Sequence, residues 1–173
     1  DAFIHDARSA FLAPLVESSF PVPIGAGPLA LSIDYETFNF SEDVLSLKFT
    51  IYDYTGGAHG NTTFRTLTFD LAAGRELALG DLFQPGVDPL ATVAPIVLAD
   101  LQTQLGDMTD ASWLEMGTAP VPENYANWVL AEDALIFFFP PYQVAAYAAG
   151  PQTVTIPLSD LTFVLAPEFT PAP

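Results

Sequence analysis

Residues Leu29 to Ile51 read L-A-L-S-I-D-Y-E-T-F-N-F-S-E-D-V-L-S-L-K-F-T-I, and the alternation within them decides the class of fold. Leu29, Leu31, Ile33 and Tyr35 alternate with Ala30, Ser32, Asp34 and Glu36, the pattern of a half-buried strand. The apolar set then moves to Phe38 and Phe40, which predicts a bulge near Glu36. Ser41, Glu42 and Asp43 form a turn. Beyond it Leu45, Leu47, Phe49 and Ile51 point one way, and Ser46, Lys48 and Thr50 the other. So short a connection between neighbouring strands implies an antiparallel hairpin, with the Leu45–Phe49 side as its core face.

Upstream of the hairpin, Ile4, Ala7, Phe11, Leu12, Leu15 and Val16 recur at three- and four-residue steps, the stripe of an amphipathic helix. This N-terminal helix is assigned to residues 1–19, with Pro14 ending or kinking it near Ala13. Pro21, Pro23 and Pro28 make a stiff connector. Downstream, Thr62 to Leu71 continues as a strand, and a short strand follows around Leu77 and Leu79. Asp88-Pro89 opens a central helix, an N-cap acid before a proline at the first helical position. Its stripe is Leu90, Ala94, Val97, Leu98, Leu101 and Leu105, with Pro95 inside as a kink and Gly106 as its stop. A shorter helix spans about Asp110 to Met116. Strands are expected at Tyr125 to Leu130, Leu135 to Phe139 and Gln152 to Ile156, then one helical turn from Leu158 to Leu161. The proline-rich tail, 167–173, cannot join a sheet centrally. The class is α+β: an antiparallel sheet of hairpins with the N-terminal and central helices packed against it. The 173 residues fit one domain.

Charge narrows the partners. Twenty-one Asp and Glu stand against four Lys and Arg, a formal net charge of −17, and Lys48 is the sole lysine. Such a surface repels phosphate backbones and anionic lipid, which argues against nucleic acid and membrane surfaces, and it attracts cations and basic proteins. The same charge would also serve merely to keep a chain that is 50% apolar in solution. There is no cysteine, so disulfides, thiolate metal sites and cysteine nucleophiles are excluded together. No run approaches the roughly 18 apolar residues of a membrane span. A chain opening at Asp1, without methionine or an apolar leader, reads as a mature or truncated product; an upstream lipid anchor is compatible with it.

Two segments stand out. Tyr54 to Asn61 reads Y-T-G-G-A-H-G-N. Its glycines allow positive φ and close backbone approach, and His59 adds a group that titrates near neutrality. A strand follows instead of a helix and no lysine is present, so this is not a phosphate-binding loop. Tyr54, Gly56, Gly57, His59 and Asn61 are therefore candidate binding residues, with a wide β-connection as the structural alternative. The second segment, Pro140 to Pro151, is P-P-Y-Q-V-A-A-Y-A-A-G-P. Tyr142 and Tyr147 either form a recognition surface or cap the core edge with their hydroxyls in water. His5 and His59 are the two histidines of the chain. No metal site is read, no cofactor is expected, and neither G-x-S-x-G nor H-E-x-x-H occurs.

Together these segments carry a family resemblance. Tyr54 to Asn61, followed by Thr68-Phe69-Asp70-Leu71, Gly74-Arg75-Glu76-Leu77 and Asp81-Leu82-Phe83, resembles the signature of the RsiV-like C-terminal domain. Phe139, Pro141 to Ala145, Tyr147 to Pro151 and Ile156-Pro157 are similar to its second block. The likeness covers residues 29–165. It implies a domain shared with anti-sigma factors whose extracytoplasmic part binds lysozyme, and found beside peptidoglycan deacetylase domains. The Asp-Asp and H-x-x-x-H metal motifs of those deacetylases are missing here. The expectation is a periplasmic or extracellular binding module for a basic protein such as lysozyme or for peptidoglycan glycan, without catalysis. The alternatives are an envelope polysaccharide hydrolase or esterase with His59 as general base, and a structural domain of a larger envelope protein.

Overall fold

Strands β1 (Ala30–Asn39) and β2 (Val44–Tyr54) form the expected hairpin in the computed structural model. The structure describes residues 2–17 and 28–171, and within the first helix it describes side chains as far as residue 13. Ser41 Oγ closes the turn by accepting from the Asp43 and Val44 N–H groups. The register runs unbroken from Ala30 opposite Tyr54 to Asn39 opposite Leu45, so there is no bulge near Glu36. The apolar set moves to Phe38 for another reason: this side chain lies on the opposite face of the sheet, 6.2 Å from Phe138 of a second sheet.

Strand β3 (Asn61–Asp70) pairs antiparallel with β2, and the two-residue β4 (Arg75–Glu76) completes the order β1-β2-β3-β4. A separate antiparallel sheet has the order β5-β6-β7, formed by Trp128–Leu130, Ala134–Phe139 and Gln152–Pro157. The α+β class therefore stands, with two sheets in place of one. Between the sheets in sequence run α2 (Pro89–Leu105) and α3 (Ala111–Gly117), and α4 (Leu158–Leu161) follows β7. Asp88 caps α2 by accepting from the Leu90 and Ala91 N–H groups, an arrangement worth about 1 kcal/mol. Pro95 lies within the one continuous helix, and Gly106 ends it at φ 49°. Helix α1 (Ala2–Glu17) runs through Pro14 and does not stop near Ala13. Most of the proline connector, with Pro21 and Pro23, lies outside the described residues. Single 3-10 turns replace the expected strand around Leu79 and the start of the strand at Tyr125.

The faces of the first sheet are the main surprise. The core is built on β5 to β7, α2 and the chain around Leu158 to Phe169; Leu82, Val97, Leu101, Leu135, Phe137, Phe139 and Ile156 are fully buried there. The side of β2 that meets this core is not Leu45–Phe49 but Val44, Ser46 and Lys48. The reason is the edge of β5. Residues 127, 129 and 131 bond to β6, so the backbone groups of Trp128 and Leu130 face the other way and need partners. Ser46 Oγ takes the Leu130 N–H at 3.0 Å and donates to the Leu130 carbonyl. Thr66 Oγ1 takes the Trp128 N–H at 2.9 Å, and Thr68 Oγ1 bonds Ser46. Lys48 fits the interior because its ammonium lies over the Phe64 and Phe138 rings and pairs with Glu36 at 2.7 Å. The apolar face of β2 carries α1 instead: Phe3 packs on Phe49 with ring centroids 5.2 Å apart.

Candidate functional site

The loop between β2 and β3 and the loop between β6 and β7 meet at one end of the molecule. In the first, Gly56 and Gly57 take φ values of 100° and 119°, conformations open to glycine and strained for other residues. Tyr54 fastens this turn by donating its hydroxyl to the Gly57 carbonyl. Gly60 is buried, and a Cβ there would run into the Tyr52 ring. Its carbonyl accepts from His59 Nδ1 at 2.8 Å and from the Tyr147 hydroxyl at 2.9 Å.

Two rings meet at that carbonyl and a third joins them. His59 stacks on Tyr147 with centroids 3.7 Å apart and planes 19° from parallel. Tyr142 leans over both, 6.3 Å from His59 and 5.5 Å from Tyr147. Because Nδ1 must carry the proton it donates to Gly60, Nε2 is left as the acceptor, and the Tyr142 hydroxyl donates to it at 3.3 Å. The sequence-predicted residues thus divide: His59, Tyr142 and Tyr147 form the cluster, Tyr54, Gly56 and Gly57 build the turn beside it, and Asn61 begins β3 opposite Asp53.

Sequence reasoning missed the residues that hold the tyrosine loop. Tyr142 stands at φ 72°, the one non-glycine with positive φ among the described residues. The Trp113 indole N–H grips its carbonyl at 3.0 Å, and Gln143 Nε2 donates to the Gly117 and Asn124 carbonyls. Thr109 donates to the Val144 carbonyl at 2.7 Å. A Cβ on Gly117 would overlap the Gln143 backbone, so α3 ends where this loop passes. The readable signal was Trp113 itself, whose indole N–H finds a carbonyl or other acceptor when packed.

Chemically, the cluster offers an aromatic platform with a polar rim. Tyr142 is 50% exposed, and the rim carries two phenol hydroxyls and the imidazole Nε2. Among the described residues no three His, Cys, Asp or Glu side chains lie close enough to hold a metal ion. His59 makes its bonds to a carbonyl and a phenol, with no carboxylate partner among the described residues.

An α+β chain with a glycine–histidine loop joined to a tyrosine loop in this order is a protein of the RsiV-like class. Residues 80–159 match the family described as "Protein of unknown function (DUF3298)", and the chain belongs to that family. Residues 16–62, which include the glycine–histidine loop, match a second family, "Deacetylase PdaC". The chain is 31% identical over 139 residues to the peptidoglycan-N-acetylmuramic acid deacetylase PdaC of Bacillus subtilis, covering 80% of this chain and 30% of that protein. It is also 31% identical over 167 residues to the immunogenic protein MPT64 of Mycobacterium tuberculosis, covering 95% of this chain and 70% of the relative. The esterase Rv3036c of the same species is 31% identical over 110 residues, 60% of this chain and 47% of the esterase. Among solved structures, a DUF3298 family member from Bacteroides fragilis superposes with a TM-score of 0.67 at 23% identity, over 94% of this chain and 63% of that one.

The expectation of a chain without catalysis is overturned by these relatives, two of which are named as enzymes. That expectation rested on missing sequence signatures. Catalytic groups are defined by geometry and role instead, and unrelated orders of residues reach the same chemistry.

Proposed function

We propose that this chain is a cell-envelope domain that seats a peptidoglycan glycan on the His59–Tyr142–Tyr147 platform. The observation that carries the reading is the stacked, half-open arrangement of the three rings. Aromatic faces bury the C–H face of a sugar at little entropic cost, while the surrounding hydroxyls and Nε2 exchange hydrogen bonds with its polar edge. A relative named as a peptidoglycan deacetylase supports the envelope location. The platform favours glycan over a basic protein, since its exposed edge presents rings and no hydrogen-bonded carboxylate. Isothermal calorimetry with short N-acetylglucosamine oligomers and muropeptides tests it. Tyr142→Ala should weaken binding about tenfold, the loss of roughly 1.4 kcal/mol of ring contact. Unchanged affinity in that variant counts against the platform.

A second reading is favoured by the fixed tautomer of His59. With Nδ1–H held by the Gly60 carbonyl, Nε2 can accept a proton from water, and the hydroxide formed attacks an acyl carbon on the bound sugar. The C–O or C–N bond to the sugar breaks, and the proton passes from Nε2 to the leaving oxygen or nitrogen. Tyr142, already at Nε2, would hand over its place to that water. Release of acetate from acetylated glycan by the wild type, lost in His59→Ala, would establish it. Equal release by both proteins rejects it.

A further inference from the structure

The ring cluster holds a feature that a contact surface alone does not need. Tyr142 stands at φ 72°, a backbone state costly for a bulky aromatic residue. Its surroundings fix it there. The Trp113 indole N–H bonds its carbonyl at 3.0 Å. The next residue, Gln143, is tied by its backbone N–H to the Pro140 carbonyl and by its side chain to the Gly117 and Asn124 carbonyls. A ring used only as an apolar face can shift a little without loss. A phenol oxygen aimed at one atom cannot, and the Tyr142 oxygen lies 3.3 Å from His59 Nε2. The hydroxyl of Tyr147, in contrast, is spent on the Gly60 carbonyl. Tyr142 is 50% exposed, so a ligand can displace its bond to Nε2 from the solvent side.

We propose that Tyr142 is a catalytic residue for acyl release at this cluster, its hydroxyl donating to the acyl oxygen as negative charge develops there. This role rests on the acyl-release reading of the same site. Water takes the place of the phenol at Nε2 and gives Nε2 a proton, and its oxygen bonds to the acyl carbon. The C=O π electrons move onto the acyl oxygen, which accepts from the Tyr142 O–H. As the carbonyl re-forms, the bond from the acyl carbon to the sugar oxygen breaks. The sugar oxygen leaves with the proton from Nε2, a carboxylic acid remains, and Tyr142 keeps its own proton throughout. The attacking oxygen and the oxyanion sit on one carbon, so the groups that hold them must stand side by side, as Nε2 and the Tyr142 oxygen do. A donor on a loop already fixed needs little rearrangement when the charge appears, the condition under which such a hydrogen bond favours the transition state.

The test compares the wild type with Tyr142→Phe, which keeps the ring and loses only the hydroxyl, its fold checked by circular dichroism. Two substrates are used: an O-acetylated N-acetylglucosamine oligomer and p-nitrophenyl acetate, which carries no sugar. In Tyr142→Phe, kcat on the oligomer and kcat/KM on p-nitrophenyl acetate should both fall about 10²–10³-fold, as loss of one oxyanion donor does. KM for the oligomer should stay within about twofold, since the ring contact remains. Tyr35→Phe, the same change at a tyrosine 68% exposed on β1, should leave all these constants unchanged. Turnover lost in His59→Ala but kept in Tyr142→Phe would overturn the role of Tyr142 and leave acyl release standing. A loss in Tyr142→Phe confined to the oligomer, or expressed in KM, would make the hydroxyl a sugar contact and overturn the role as well. No turnover of either substrate by the wild type would reject acyl release and this role together.

Discussion

Replacing Ser46 with alanine removes one oxygen from the place where the two sheets touch. Ser46 has no exposed surface, and its Oγ holds three bonds: to the Leu130 N–H, the Leu130 carbonyl and Thr68 Oγ1. The alanine variant leaves both Leu130 backbone groups buried and unpaired. Each such group costs about 1–3 kcal/mol, so the loss should be about 2–5 kcal/mol once partial relaxation is allowed. Against a total stability of about 5–15 kcal/mol for a protein of ordinary size, that is a large share. For a chain of this length it corresponds to a fall in Tm of about 5–15 °C. Urea denaturation and calorimetry measure both numbers. Ser32→Ala, on an exposed position of β1, should change stability by less than about 0.5 kcal/mol. A loss in Ser46→Ala no larger than that control would show that the β5 edge does not depend on the hydroxyl. The inward polar face of β2 would then have another cause.

The same inversion predicts that Phe49→Ala costs about 1–2 kcal/mol, because Phe49 is half-buried under α1. Phe137→Ala, with no exposed surface, should cost about 3–5 kcal/mol; equal losses by chemical denaturation would contradict the placement of the core. Gly60→Ala should weaken the fold and disturb Tyr52, seen as a shifted Tyr52 ring signal, since the new methyl meets that ring. Burial pushes the Tyr125 phenol up to about 12. A raised folded value means stability is fully present below the unfolded value near 10 and is lost as pH rises towards 12, by up to about 2 kcal/mol. Spectrophotometric titration should show one tyrosine ionising late, and Tyr125→Phe should remove that step.

Local structure was legible in the sequence wherever one signal sufficed. Asp88-Pro89 and Gly106 bound α2 because caps and stops act within a single turn, and the antiparallel hairpin followed from a short loop and alternating residues. Alternation also shows that β2 has two faces, but it cannot say what each will meet. Ser46 and Lys48 look like solvent residues until β5 supplies unpaired backbone groups and Phe64 and Phe138 supply rings. The false bulge near Glu36 had the same origin: Phe38 answers to the second sheet, which lies about a hundred residues further along the chain. Both loops of the candidate site were visible by composition. Their contact was not, since His59 and Tyr142 are 83 residues apart and nothing local encodes the meeting. Trp113 and Gly117 escaped notice because their task, holding Tyr142 in its left-handed conformation, exists only once that loop is in place.

The ring cluster as a glycan seat is tested most directly by nuclear magnetic resonance of the His59 imidazole and the Tyr142 and Tyr147 rings during titration with a short N-acetylglucosamine oligomer. All three rings should shift saturably with a single dissociation constant, and His59 Nε2 should change hydrogen-bond partner while Nδ1 keeps its proton on the Gly60 carbonyl. Binding that shifts signals elsewhere and leaves these three rings unmoved would contradict it.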